Sequence, residues 1–354
     1  MVMLASYGIA VLFCVITMFC WGSWGNTQKL VGKTWRYELF YWDYVFGVVL
    51  AALVFGLTMG SHGDVGNVAN VSFCENLKQA SCQSLLWAFA GGVVFNIANI
   101  LLVAAIAVAG MAVAFPVGIG LALVLGVLVN YLGNPAAAGN PQILFLGIAL
   151  VTLAIILNAV AYSRLPKTAD TSMGKGLTLS ILCGILMSLF YFFVAKSITL
   201  VEGASDSALT LANLQQEGAH LEAGKLTPYA ANFVFSIGIL VSNFIVMPIL
   251  MKKPIVGTPV ALGAYFSGRA SDHLWGIIGG IIWAIGMTLN VVASGVASAA
   301  IAYGLGQGAT LMSAIWGVFI WREFRDAPKG TTKYLVAMFL AFIVGLGLII
   351  WTKL

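Results

Sequence analysis

The chain of 354 residues has very little charge, because Lys, Arg, Asp and Glu together make up only 8% of it. A water-soluble domain carries roughly a quarter charged residues, so this chain could not cover its own surface against water. That shortage excludes most soluble enzyme folds and disordered tails. The net charge of +5 comes from basic residues spread along the whole chain. Without a dense basic run, the sequence does not indicate a nucleic-acid binder.

Histidine and cysteine are also scarce, with three and five copies. The histidines are far apart, and no His-Cys or paired-acid spacing indicates a metal site or an intramembrane hydrolase. We therefore expect no enzyme, no catalytic residues and no cofactor. Cys74 and Cys82 share one polar loop, and the sequence is compatible with either a disulfide or two free thiols there.

Long apolar runs are what the chain does contain, since 61% of it is apolar. A hydrocarbon core of about 30 Å needs about 20 helical residues, and ten stretches fit that length. They are too long for the strands of a membrane barrel and lack its alternation. The sequence therefore predicts an all-α integral membrane protein with ten transmembrane helices. The predicted spans are 6–28, 38–60, 84–108, 111–132, 142–163, 176–200, 228–250, 273–294, 297–320 and 333–352.

Basic residues fall mainly in the odd-numbered loops between these spans, which hold thirteen of the 17 Lys and Arg. Cytoplasmic loops of membrane proteins carry such an excess. We therefore expect the odd-numbered loops to face the cytoplasm and both termini to lie outside, with a bacterial inner membrane as the expected location.

Spans three and four match spans eight and nine without gaps at an offset of 188 residues, which indicates an internal repeat. Asp43 and Asn232 also occupy comparable places early in the second helix of each half. Because five helices per copy is an odd number, the second copy must enter the membrane from the opposite side. This predicts a five-plus-five inverted repeat, with units at 1–165 and 174–354, that can open a central site to either side in turn. The matched pairs include Leu86-Trp87 with Leu274-Trp275, Gly91-Gly92 with Gly279-Gly280, and Gly118 and Gly120 with Gly306 and Gly308.

This arrangement, with Trp21-Gly22-Ser23 closing the first span and Lys29 just beyond it, resembles the drug/metabolite transporter superfamily. Within it, the chain resembles the branch of glucose/ribose porters, rhamnose-proton symporters and ureide permeases. The stretches Gly91–Asn99 and Gly118–Tyr131 are most similar to ureide permeases. The resemblance implies a secondary active importer of a small neutral polar solute, coupled to protons or to sodium. Residues 24–28 are more polar than the continuation expected in the sugar porters.

Polar side chains at bilayer depth face either a cavity or a neighbouring helix. Asn96 and Asn99 share one face of the third span with Gly92, and Asn290 lies one helical step along from the equivalent stripe. Aromatic faces with adjacent amides suit a flat, neutral, polar solute; Trp24 also fits an interfacial aromatic belt. The predicted substrate-binding residues are Trp21, Ser23, Trp24, Asn26, Gln28, Asn96, Asn99, Tyr191, Asn290, Tyr303 and Gln307.

Ion coupling needs a group that changes charge, and Asp43, about two turns into the second span, is the leading candidate. Lys29 and Glu38 lie at one membrane level, where they could pair as a rim ion pair or a gate. Lys196 either snorkels to the surface or replaces a coupling cation. Glycines and one proline interrupt two further spans and predict hinges or cavity segments. These predicted hinge residues are Pro116, Gly118, Gly120, Gly304, Gly306 and Gly308.

Three functions are compatible with these patterns. The first is an importer of a ureide, nucleobase or sugar. The second is an exporter of drugs or metabolites; an exporter of cations should carry a carboxylate near the middle of the first span, which this chain lacks. The third is a membrane scaffold or sensor without a transport cycle. The expected partners are the small solute and the lipid bilayer, no nucleic acid is expected, and monomer and homodimer stay equally open.

Overall fold

The computed structural model describes residues 1–31, 35–62, 71–109, 111–165, 173–202, 209–255 and 257–354. Nine helices in this part of the chain are long and apolar enough to cross a membrane. The predicted all-α membrane class is therefore confirmed. The nine are Tyr7–Leu30, Tyr37–Leu57, Cys82–Ala109, Pro116–Gly133, Pro141–Ser163, Gly174–Ser197, Pro228–Lys252, Ala270–Ala297 and Thr331–Trp351.

The α-helices are numbered here in chain order, with shorter 3₁₀ and π-helical turns between some of them. They are α1 (Tyr7–Ser23), α2 (Tyr37–Leu57), α3 (Phe73–Gln79), α4 (Cys82–Ala109), α5 (Met111–Ala114), α6 (Gly120–Gly133), α7 (Pro141–Ser163), α8 (Met173–Ser197), α9 (Leu211–Leu214), α10 (Pro228–Lys252), α11 (Ala270–Ala297), α12 (Ala299–Gly306), α13 (Ala309–Ile315) and α14 (Thr331–Trp351). A small antiparallel pair joins β1 (Val201–Glu202) to β2 (His220–Leu221).

The predicted span 297–320 differs from the other nine because a non-helical turn interrupts it. It consists of α12, α13 and a π-helical turn at Trp316–Ile320, with a break at Gln307 and Gly308. Three glycines fall within residues 304–308, and glycine is among the poorest helix formers. The interruption also brings this segment against α1, since a Cβ atom at Gly306 would lie 2.7 Å from the Trp21 ring.

Both ends of the chain lie at the same end of the bundle. The Tyr7 hydroxyl donates to the Ile350 carbonyl at 2.8 Å, which joins the start of α1 to the end of α14. The Val2 amide donates to the carbonyl of Met59, just after α2. The two termini therefore lie near each other, and the membrane side that they face stays a prediction.

Two pairs of helices cross by the same close contact. A Cβ atom at Gly280 of α11 would lie 2.8 Å from the Val48 amide nitrogen of α2. One at Gly92 of α4 would lie 2.9 Å from the Ile239 amide nitrogen of α10. Gly92 and Gly280 are 188 residues apart, whereas Val48 and Ile239 are 191 apart. At the offset of 191, Asn232 corresponds to Tyr41. The sequence comparison set Asn232 against Asp43, two residues further along α2.

The helices that end the two halves, α7 and α14, contact each other through a reciprocal pair of glycines. A Cβ atom at Gly147 would lie 2.8 Å from the Gly345 carbonyl oxygen, and one at Gly345 would lie 2.9 Å from the Gly147 carbonyl oxygen. Small residues allow helix backbones this close in membrane bundles. Substituting either glycine would therefore separate the two helices.

The end of the bundle that carries the termini is covered by α3 and by the segment before α10. The Asn76 amide donates to the Lys225 carbonyl at 3.1 Å and accepts from the Thr227 amide at 2.8 Å. Cys74 lies in α3 and Cys82 begins α4, and both are free and exposed. Of the two alternatives for these cysteines, the structure has the free thiols.

Candidate functional site

A cavity of about 300 Å³ lies among the helices of both halves and is called here the central cavity. Its aromatic wall is built on Trp283 of α11. Trp21 of α1 stacks on that ring with centroids 5.9 Å apart and an 11° angle between planes. Phe95 of α4 lies 4.5 Å from it on another side. The predicted Trp21 and Trp24 both line the cavity, which therefore offers flat apolar faces to a solute.

Four amide side chains also line the central cavity: Asn26, Gln28, Asn99 and Gln307. All four belong to the predicted set. The amides of Gln28 and Gln307 make no hydrogen bond within the part of the chain that the structure describes. Each offers one acceptor and two donors, so the cavity can recognise both N–H and C=O groups of a neutral solute.

The predicted Asn96 lies behind this wall instead of on it. Tyr41 links the two asparagines, because its hydroxyl donates to the Asn96 amide oxygen at 2.9 Å and accepts from the Asn99 amide at 3.1 Å. The Asn96 amide in turn donates to the Ser242 hydroxyl at 3.0 Å. This buried series of hydrogen bonds orients Asn99. Asn96 itself contacts Ser242 on α10 and does not reach the cavity.

The mouth of the central cavity carries a carboxylate that the sequence analysis did not select. Glu323 accepts from the Lys29 ammonium at 2.9 Å and from the Tyr162 hydroxyl at 2.6 Å. The expected pairing of Lys29 with Glu38 is wrong, since Glu38 pairs with Arg36 at 2.5 Å. The 3₁₀ turn Trp24–Leu30 extends α1 towards the segment that holds Glu323, whereas Glu38 lies in the first turn of α2.

The π-helical turn before Glu323 is attached to the end of α1 by two tryptophans. The Trp316 indole donates to the Ser23 hydroxyl at 2.8 Å, and the Trp321 indole donates to the Asn26 amide oxygen at 2.6 Å. The predicted Ser23 therefore supports the wall, and Asn26 both lines the cavity and is held by Trp321. Turns of π-helix within α-helices are often found at functional sites.

Asp43, the predicted coupling residue, is buried outside the lining of the central cavity. The Tyr265 hydroxyl donates to its carboxylate at 2.5 Å, and His273 Nδ1 lies 3.0 Å from both carboxylate oxygens. Burial, and then this bond to Asp43, raise the pKa of the Tyr265 phenol above its ordinary value. The close approach of α2 to α11 at Gly276 brings His273 to Asp43, 230 residues away in sequence.

A second cavity of about 280 Å³ lies at the end of the bundle that carries the chain termini. Lys196 of α8, predicted as a coupling or snorkelling residue, lines it together with Glu222 and Lys353. The Lys196 ammonium lies 5.3 Å from the centroid of the Phe192 ring. The cavity lining thus combines ammonium groups with a carboxylate.

Asn290 separates the two cavities along α11. Trp283 lines the central cavity and Ser294 lines the second. Asn290 lies between them, fully buried, and its amide donates to the Ala302 carbonyl at 2.9 Å. The predicted Asn290 therefore joins α11 to α12 and does not line the central cavity.

Tyr191 and Tyr303 occupy the same level on two other helices. On α8, Tyr191 lies between Met187, which lines the central cavity, and Lys196, and its hydroxyl donates to the Asn290 carbonyl at 3.2 Å. The Tyr303 hydroxyl of α12 lies 3.1 Å from the carbonyl oxygens of Ala122 and Met187. The three predicted residues Tyr191, Asn290 and Tyr303 form the layer called here the barrier.

The predicted hinge residues lie in or next to segments where the backbone departs from the regular α-helix. Pro116 and Gly118 belong to a π-helical turn at Phe115–Ile119, and Gly120 begins α6. Gly304 and Gly306 lie in α12, and Gly308 follows its end. Their role as hinges stays a prediction.

The model of the ureide permease family matches residues 40–173 and 163–352 of this chain. The chain belongs to the ureide permease family. Ureide permease 1 of Arabidopsis thaliana is 24% identical over 99% of this chain and 98% of its own length. Ureide permease 5 of the same plant is 25% identical over 97% and 94%. Probable ureide permease A3 of Vigna unguiculata is 22% identical over 92% and 98%.

A solved crystal structure shares the fold of this ureide permease family member, with a TM-score of 0.57 and 15% identity over 97% of each chain. Family membership confirms the resemblance drawn from the sequence motifs. It also confirms that the chain is a membrane transporter and not an enzyme.

Several residues that line the central cavity of this ureide permease family member were not predicted from the sequence. Trp283, Phe95, Tyr162, Trp321 and Glu323 all line the central cavity. The aromatic ones resemble ordinary span or interface residues in a chain with 12% aromatics. Glu323 lies just after the predicted ninth span, in a loop that positive charge dominates, and only the return of that loop over α1 brings it to the cavity.

Proposed function

We propose that this chain imports a small neutral polar metabolite with a ureide or nucleobase group, coupled to protons, by alternating access. The observation that carries the proposal is the central cavity, which combines stacked aromatic faces with two side-chain amides that make no hydrogen bond to any described residue. Aromatic faces bind the plane of a heterocycle, and amides bind its polar edges. The similarity to ureide permeases of Arabidopsis thaliana favours ureides over sugars.

The size of the central cavity supports a small solute. Its volume of about 300 Å³ lies at the lower end of the range for ligand pockets. A drug-sized molecule would need a larger cavity volume. The cavity therefore favours a metabolite over a drug as the solute.

Alternating access is supported by the two cavities and the barrier between them. The two glycine crossings, α2 with α11 and α4 with α10, are what a pair of inverted units would produce, and the reciprocal contact of Gly147 with Gly345 would lie near their symmetry axis. We propose that these units are residues 1–165 and 174–354. Opening the barrier while closing the mouth would move the solute from one cavity to the other.

Proton coupling is proposed to use Asp43 together with His273. Asp43 does not line the cavity, so a change in its charge must act through the packing of α2 against α11. The same crossing positions the aromatic wall, because the ring centroids of Tyr44 on α2 and Trp283 on α11 are 6.4 Å apart. Neutralising Asp43 would weaken its bonds to His273 and Tyr265 and so loosen the crossing.

Uptake into proteoliposomes tests this function. We expect purified protein to accumulate labelled allantoin when an inward proton gradient is imposed, and to accumulate less when an inward sodium gradient replaces it. Asp43→Asn should abolish accumulation while leaving exchange across the membrane, and Glu217→Gln, at an exposed loop position, should behave like the unmodified chain. Full accumulation by Asp43→Asn would refute the coupling role. Net extrusion under every gradient would refute import.

A further inference from the structure

Glu323 differs from the other acids because its carboxylate lies at the mouth of the central cavity. Within the described part of the chain it is the one carboxylate that lines this cavity. It is 28% exposed, and its two partners, Lys29 and Tyr162, both come from the first half of the chain. A solute that enters the cavity therefore passes a carboxylate whose hydrogen-bond donors it could replace with its own.

Lys29 contacts two surfaces of this mouth at once. Its ammonium lies 2.9 Å from Glu323 Oε1 and 4.7 Å from the centroid of the Trp321 ring. The lysine side chain is 46% exposed, and ion pairs this exposed contribute little to stability. Displacement of Lys29 would thus cost little and would free Glu323 Oε1 and the aromatic face. Glu323 Oε2 keeps its bond from the Tyr162 hydroxyl, and each carboxylate oxygen can accept more than one donor.

The two freed surfaces match one kind of chemical group. A carboxylate binds two parallel N–H donors with both of its oxygens, as it does with arginine. An open-chain ureido group, –NH–CO–NH₂, is planar and presents two such N–H bonds on the side away from its carbonyl. Its plane can lie on an indole ring while its edge meets the carboxylate.

We propose that Glu323 and the face of Trp321 form a recognition subsite for the open-chain ureido group of the solute, which displaces Lys29. This inference rests on the proposed function, because it assumes that ureides are transported. Glu323 would then set a preference for solutes with a ureido group over those that carry only the ring.

Allantoin and hydantoin are the probes that test this subsite, because they share one ring and only allantoin carries the ureido group. Their affinities for the purified full chain can be measured by isothermal titration calorimetry. We expect the unmodified chain to prefer allantoin by about tenfold or more, on the scale of hydrogen bonds to a charged group. Glu323→Gln should reduce the preference to about twofold or less while hydantoin binding is retained.

Two further variants separate recognition from folding. Lys29→Met removes the competing donor, so the preference for allantoin should persist or increase. Glu202→Gln, at an exposed carboxylate of β1 far from this mouth in sequence, should leave it unchanged. If Glu323→Gln binds neither probe, Glu323→Asp decides the question, since it keeps the charge and should keep most of the preference.

Three results would overturn the inference. The first is equal affinity of the unmodified chain for the two probes. The second is a preference that survives in Glu323→Gln, and the third is its loss in both Lys29→Met and Glu323→Asp. In each case binding of either ring compound would leave the proposed function standing. Absence of binding of both probes by the unmodified chain would instead overturn the proposed function and this inference together.

Discussion

Replacing Tyr303 with phenylalanine should open the barrier more often. The Tyr303 ring is fully buried, and its centroid lies 5.4 Å from that of the Tyr191 ring. Phenylalanine keeps this ring packing. What the substitution removes is the hydroxyl, which lies 3.1 Å from the carbonyl oxygens of Ala122 and Met187. The hydroxyl has one hydrogen, shared between the two carbonyls, and this bond ties α12 to α6 and α8 in the closed barrier. We expect it to be absent when the barrier opens.

The expected size of the effect follows from one buried hydrogen bond. Such a bond contributes about 1 kcal/mol in proteins, and about the same in membrane bundles. Both carbonyls belong to helices, so they keep their backbone partners when the hydroxyl is lost. A loss of about 1 kcal/mol from the closed state alone would raise the population of the open state about fivefold.

Thiol labelling at Ser313→Cys, which lies in the central cavity beyond the barrier from the face that carries the termini, measures that population. Exposed Cys74 and Cys82 are first replaced with serine, and a membrane-impermeant maleimide is added at the face that carries the termini. Tyr303→Phe should raise the labelling rate about fivefold. The matched control is Tyr131→Phe, because that hydroxyl makes no hydrogen bond in the described residues. Equal rates in the two variants would refute the assignment of Tyr303 to the barrier.

Three other substitutions, one of them with a matched control, test the packing around the site. Trp283→Ala should lower the free energy of unfolding by about 3 kcal/mol and weaken allantoin binding, measured by calorimetry, because both Trp21 and Phe95 pack on this ring. Gly92→Val should prevent folding, because its Cβ atom would meet the backbone of α10. Gly118→Ala should yield normal monodisperse protein, since the nearest atom to its Cβ would be 3.5 Å away. Size-exclusion chromatography compares the two variants. Asn76→Ala should cost about 2 kcal/mol through its two lost backbone bonds, which lowers the melting temperature without changing solute affinity.

The regular helices could be predicted from the sequence because the bilayer imposes a minimum apolar length. Nine predicted spans coincide with continuous helices to within a few residues at most ends. The span at 297–320 is the exception. Its break could not be predicted from hydropathy, because its composition is as apolar as that of the other spans. Its break depends on glycines that approach α1, and hydropathy does not register such an approach.

The candidate site could be predicted only in part. Trp21, Asn99 and Gln307 were placed in the cavity because polar and aromatic residues at bilayer depth need partners or a solute. The same reasoning placed Asn290 and Tyr303 there, although both are fully buried in the barrier. A polar side chain that bonds a neighbouring helix and one that lines a cavity obey the same rule, so sequence pattern does not separate them.

The sequence by itself determined that this chain lies in a membrane, where its helices run, and which motifs it shares with ureide permeases, because these depend on local composition and spacing. Only the tertiary structure decided which polar groups meet. Lys29 reaches Glu323 across 294 residues and His273 reaches Asp43 across 230. Such pairs form where helices cross, and the crossings are set by the close approach of small residues on different helices, which no single span reveals.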